Sequence, residues 1–156
     1  MPGQYRQHVF VCTNGAFCPF DGDTEQLFQR LKARVATAGL QNEIRINRAG
    51  CLNQCGHGPN LAVYPDAVWY AHVQSDDADE IFESHLLAGR PLERLLYHAT
   101  PGNNKMTDHY PAEVRELEKQ EKINDRRRVA LYAELRAAAT SAATPGVAEE
   151  RADAAV

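Results

Sequence analysis

All four cysteines of this 156-residue chain lie in its first 55 residues, as two close pairs. Cys12 and Cys18 form the first pair, and Cys51 and Cys55 form the second. The 32 residues between the pairs are enough for a helix and a strand that return the chain to the edge where it began. Two loops at one edge would then bring four thiols together, and this is the strongest constraint on the fold.

Apolar periodicity around the first pair predicts a β-α-β unit. Residues 7–12 are apolar and β-branched, typical of a buried strand that ends on Cys12. The glycine and proline residues that follow predict a loop without regular structure over 13–22. The next helix has a cap and one apolar stripe, supplied by Asp23 or Thr24 and by Leu27, Leu31, Val35 and Ala38. The alternation of residues 43–48 then predicts a half-buried second strand.

The chain continues with a hairpin and a second helix. Residues 61–64 and 67–73 have the pattern of two strands joined by the turn Pro65-Asp66. Residues 75–88 have the pattern of a helix with an acidic first turn. Because a β-α-β crossover is right-handed and places its two strands parallel, this order predicts a thioredoxin-like α/β domain over residues 1–97. That domain has a mixed four-stranded sheet and two helices.

The composition changes after residue 97. Residues 98–111 are polar and rich in turn formers, which predicts a linker. Residues 112–139 contain strong helix formers of mixed charge and predict a charged helical extension. Residues 140–156 show no apolar periodicity, and we expect a disordered tail.

Charge and hydropathy narrow the function classes. The formal net charge of −4 argues against a nucleic-acid-binding face, and no apolar run approaches the ~20 residues of a membrane span. The first residues lack the apolar core of a secretory signal, which predicts a cytoplasmic protein. Thiols stay reduced in the cytoplasm, so clustered cysteines there indicate a metal or catalytic site more often than disulfides.

The spacing of the four cysteines favours a [2Fe–2S] cluster, which four thiolates hold. We expect Cys12 and Cys18 on one iron and Cys51 and Cys55 on the other, with flanking glycines allowing the backbone to approach. Structural zinc is the first alternative, although its cysteine pairs are usually two to four residues apart. A thiol oxidoreductase would have a Cys-x-x-Cys pair, which is absent, and purely structural cysteines would lie in apolar runs rather than in glycine-rich loops.

Two stretches of the sequence carry a family resemblance. Residues 48–59 (RAGCLNQCGHGP), followed by 63–70 (VYPDAVWY), closely resemble the thioredoxin-like [2Fe–2S] ferredoxins, which include the Shethna-type proteins. The small subunit of NADH:ubiquinone oxidoreductase shares the fold, and residues 83–95 are similar to the last helix of this family. The resemblance covers about residues 7–97. The spacing of five residues between Cys12 and Cys18 departs from the Shethna-type proteins, where it is usually longer.

The resemblance implies an electron carrier and no chemistry on a substrate. Its partners would be redox proteins, a reductase or flavoprotein as donor and an enzyme as acceptor, and the carrier is often a homodimer. Two other functions stay open. The domain could be a subunit docked into a larger oxidoreductase by the 112–139 helix, or a protective or regulatory partner that binds an enzyme in one redox state.

Overall fold

The sheet of this protein has four strands and is mixed. The computed structural model describes residues 3–154, with side chains described as far as residue 142. The strands are β1 (Gln7–Cys12), β2 (Ile44–Ala49), β3 (Leu61–Tyr64) and β4 (Val68–Tyr70). Their order is β2-β1-β3-β4, with β1 and β2 parallel and the other neighbours antiparallel. The predicted thioredoxin-like α/β fold is confirmed.

The helices confirm the predicted pattern and add two short elements. The first two are α1 (Phe17–Asp21) and α2 (Thr24–Thr37). The third, α3, is a continuous helical segment that begins as a 3-10 turn (Ser75–Asp77), passes through α geometry (Ala78–Glu80) and widens into π geometry (Ile81–Leu87). A short 3-10 turn covers Glu93–Leu95, and α4 covers Ala112–Ala154.

Helix α2 begins and packs as the sequence predicts. Asp23 is the N-cap, and its Oδ1 accepts a hydrogen bond from the Gln26 backbone N–H at 2.9 Å. One face of the helix is buried against the sheet and α3. Three of the four predicted stripe residues enter the core, together with side chains from β1, β2, β3 and α3: Leu27, Leu31, Val35, Val9, Val11, Ile44, Val63, Ile81 and Phe82. The fourth, Ala38, is the exposed C-cap residue that follows the helix.

The prediction of a structureless loop over 13–22 is wrong in its middle, where α1 forms. Pro19 is the third residue of this helix. Backbone N–H groups in a first helical turn have no intrahelical partner, so proline is tolerated there. Gly22 ends the helix and donates its N–H to the Cys18 carbonyl at 3.2 Å. Proline and glycine therefore delimit a short helix instead of preventing one.

The chain divides into two compact units, Met1–Glu118 and Lys119–Val156. The first contains the sheet, α1 to α3 and residues 98–118. The second is the continuation of α4, whose exposed apolar side chains are Ile123, Val129, Leu131, Tyr132 and Leu135. The helical extension is confirmed, whereas the domain limit at residue 97 and the linker over 98–111 stay predictions. The disordered tail over residues 140–156 also stays a prediction.

No helix within residues 3–154 combines the length and the apolar character that crossing a membrane would require.

Candidate metal centre

Parallel pairing of β1 and β2 brings the two cysteine loops to one edge of the sheet. Cys12, the last residue of β1, lies opposite Ala49, the last residue of β2. The first cysteine loop, residues 13–23, leaves β1 at this edge and carries Cys18 in α1. The second cysteine loop, residues 50–60, leaves β2 at the same edge. Parallel strands end on the same side of a sheet, so the four thiols meet there.

The cysteines meet as the two pairs that the sequence predicts. Cys51 Sγ lies 3.5 Å from Cys55 Sγ, and the Cys12 and Cys18 thiols are close enough to shift each other's pKa. All four are free thiols; Cys12, Cys18 and Cys55 are buried, whereas Cys51 is half-buried. Among the described side chains, no group of three or more His, Cys, Asp or Glu converges on one point that could hold a single metal ion.

The thiolates of Cys18 and Cys55 are disfavoured without added positive charge, because the pKa of each thiol is raised. The hydrogen bond from Cys18 lowers the pKa of Cys12 to about 6, against the opposing effect of burial. The same bond, with burial and the nearby thiols, raises the pKa of Cys18. Burial, and then Cys51, raises the pKa of Cys55 to about 12. Metal ligation removes such protons, because the charge of the ion compensates the thiolates.

Backbone N–H groups point at the sulfurs. The Asn53 N–H lies 3.4 Å from Cys51 Sγ. The Asn14 and Leu52 N–H groups hydrogen-bond to Cys12 and help to lower its pKa, though less than Cys18 does. On Cys18, the Asn60 N–H acts in the same direction, and the Asn60 side-chain amide lies 3.9 Å from the sulfur. Such donors stabilise negative charge on ligating sulfur.

The second loop passes Cys18 so closely that only glycine fits. A Cβ at Gly58 would lie 2.6 Å from Cys18 Sγ. By contrast, a Cβ at Gly50, beside Cys51, would meet no heavy atom within 4 Å. The backbone N–H groups around the sulfurs and the close approach of Gly58 to Cys18 fit a cluster held by four cysteines.

The sequence missed one component of the site, residues 98–118. The Met106 N–H donates to the Cys55 carbonyl at 2.8 Å, and the Tyr110 hydroxyl and Glu118 carboxylate bond to the two cysteine loops. His57, beside Cys55, bonds through Nε2 to the Asn104 carbonyl at 3.1 Å. The sequence carries only a weak signal that this segment is buried, because Tyr110 is the only Phe, Trp or Tyr between residues 99 and 118.

Comparison with known proteins places the chain in one class. No protein-family model matches the chain. It is 35% identical over 97 residues to a 2Fe-2S ferredoxin of Clostridium pasteurianum, which covers 58% of this chain and 94% of that protein. It is 40% identical over 98 residues to a 2Fe-2S ferredoxin of Aquifex aeolicus, which covers 58% of this chain and 87% of that protein.

Solved structures agree with the sequence relatives. The crystal structure of the thioredoxin-like [2Fe-2S] ferredoxin from Aquifex aeolicus aligns with a TM-score of 0.57 at 36% identity, covering 61% of this chain and 99% of that one. A second structure of a ferredoxin with the same description and source gives a TM-score of 0.58 at 34% identity, covering 65% and 99%. The class of protein is thus one with a thioredoxin-like fold and paired cysteines at one edge of the sheet. Within it, the chain belongs to the family of thioredoxin-like [2Fe–2S] ferredoxins.

Proposed function

We propose that this protein is a [2Fe–2S] ferredoxin that carries single electrons between redox proteins and catalyses no reaction of its own. The observation that carries the proposal is the convergence of two cysteine pairs, from two loops, at one edge of the sheet. Membership of the ferredoxin family supports the same function.

The proposed ligands are Cys12 and Cys18 for one iron and Cys51 and Cys55 for the other. A bound cluster supplies a centre that gains and loses one electron. The protein side chains and backbone then have two tasks. The N–H groups that point at the sulfurs stabilise the negative charge, and the apolar packing of Phe17 and Tyr110 around Cys55 keeps water away.

Electron exchange with a partner should occur on the Cys51 side of the site. Cys51 is the least buried of the four cysteines, so an electron would have the shortest path to a docked protein through its sulfur. A flavoprotein or other reductase would deliver the electron, and an acceptor enzyme would remove it. A homodimer and a cytoplasmic location belong to the same proposal and rest on the sequence alone.

Purification without oxygen tests the proposal. We expect a red-brown protein with about two irons and two sulfides per chain, whose visible absorption bleaches with dithionite. It should also pass electrons from a flavoprotein reductase to a haem-protein acceptor. A colourless protein that holds zinc would contradict the proposal.

A further inference from the structure

We propose that residues 98–118 are a built-in cover of the two cysteine loops, held by Tyr110, in which Glu118 lowers the reduction potential of the centre. The proposal rests on the function proposed above. Residues 98–118 are called the cover segment from here on. Nearly the whole length of the ferredoxin structures aligns with 61% to 65% of this chain, which leaves the rest without a counterpart in them.

The cover segment is joined to the second cysteine loop by backbone contacts. The Met106 N–H donates to the Cys55 carbonyl at 2.8 Å, and the Asn104 N–H donates to the Asn53 carbonyl at 3.2 Å. A Cβ at Gly56, whose φ is +99°, would clash with the Met106 carbonyl oxygen. The loop therefore has glycine at the point where the cover segment passes closest, and the two backbones fit each other directly.

Tyr110 joins both cysteine loops to the cover segment. Its hydroxyl accepts a hydrogen bond from the Gly56 N–H at 2.8 Å and donates one to Asp21 Oδ2 at 2.5 Å. Gly56 follows Cys55, and Asp21 is the last residue of the helix that carries Cys18. The ring is 3% exposed and packs on Phe17 with a centroid distance of 4.6 Å. One side chain thus holds the cover segment to the loop of each cysteine pair.

Glu118 places a buried carboxylate beside the first cysteine loop. Its Oε2 accepts a hydrogen bond from the Ala16 N–H at 2.7 Å, and the residue is 7% exposed. A Cβ at Gly15, whose φ is +72°, would lie 2.5 Å from that oxygen. A fixed negative charge disfavours adding an electron to a nearby anionic centre.

Lys105 places the opposite charge near the same cysteine loop. Its Nζ lies 5.8 Å from the centroid of the Phe17 ring. Phe17 packs in one buried cluster with Cys55, so this charge lies near the Cys55 side of the centre. Removing this charge should therefore lower the reduction potential, whereas removing the Glu118 charge should raise it. A cover with a purely mechanical role would produce no such opposed pair of shifts.

Redox potentiometry on the cluster-loaded full chain tests the electrostatic part. Glu118→Gln should raise the reduction potential by about 59 mV, which corresponds to a tenfold change in the one-electron equilibrium constant. Lys105→Gln should lower the potential. Glu116→Gln is the matched control, because it removes the same charge from an exposed position of the same helix and should leave the potential unchanged. A Glu118→Gln potential equal to that of Glu116→Gln would overturn the proposal.

Solvent access to the cluster tests the covering part. Tyr110→Phe keeps the ring and removes both hydroxyl bonds, so a chelator should extract iron about tenfold faster. Deuterium couplings from heavy water at the reduced cluster should also increase. Tyr132→Phe, at an exposed position, is the control. Equal extraction rates and couplings in the two variants would refute the cover. Absence of any cluster from the wild-type protein would instead refute the proposed function.

Discussion

Replacement of Gly58 by alanine should displace the Cys18 sulfur or the loop beside it, by a distance that follows from the structure. The new Cβ would lie 2.6 Å from Cys18 Sγ. Nonbonded atoms of this size need about 3.5 Å, so the sulfur or the loop must move by about 0.9 Å. Metal sites hold their ligand distances within about 0.2 Å. The displacement is therefore several times larger than ligation tolerates, and Cys18 should become a poor ligand.

The assay is cluster occupancy and stability. We expect Gly58→Ala to bind iron and sulfide about tenfold more weakly than the wild type after reconstitution without oxygen. Its cluster should also be lost faster to a chelator. Gly50→Ala is the matched control, because it adds the same methyl group beside Cys51 where no heavy atom lies within 4 Å. It should load and retain the cluster as the wild type does.

The result that would refute this reasoning is equal cluster content and equal loss rate in the two alanine variants. Far-ultraviolet circular dichroism of both proteins separates a ligation defect from a folding defect. If Gly58→Ala keeps both its secondary structure and its cluster, the close contact between residue 58 and the Cys18 sulfur does not exist in the loaded protein. That result would contradict the role of Cys18 as a ligand.

Three further predictions test the site and the frame around it. Cys18→Ala should abolish the [2Fe–2S] absorption while leaving the far-ultraviolet spectrum unchanged, and an unaltered visible spectrum would exclude Cys18 as a ligand. Asp23→Ala should lower the free energy of unfolding by about 1 kcal/mol, because the Gln26 N–H loses its capping acceptor; no change in the denaturation midpoint would contradict it. His85→Ala should cost about 2–5 kcal/mol in the same measurement, because the fully buried ring bonds to Tyr70 and Asp66 at 2.8 Å each; a cost under 1 kcal/mol would contradict it.

The sequence predicts the sheet and α2 well because both are set by strong local patterns. The β1 strand contains an apolar run over residues 9–12, and the i, i+4 stripe of α2 indicates one face that must be buried. The pairing of Cys51 with Cys55 follows from their close spacing, because only three residues lie between them. These features need no knowledge of distant residues.

The parts that the sequence missed depend on distant contacts. Helix α1 has only five residues and lies within the first cysteine loop, where proline and glycine dominate the local sequence signal. The cover segment is polar, and it attaches through backbone groups, one tyrosine and one glutamate. Pairs such as Glu118 with Ala16 are 102 residues apart. No periodicity in a polar segment indicates which loop it will meet.

The most direct test of the central claim is electron paramagnetic resonance of the dithionite-reduced protein, with iron counted in the same sample. A [2Fe–2S] centre held by the two cysteine pairs predicts a signal of about one unpaired electron for every two irons. The signal should disappear in Cys18→Ala and persist in Gly50→Ala. A reduced sample that is silent and contains one zinc per chain would contradict the account.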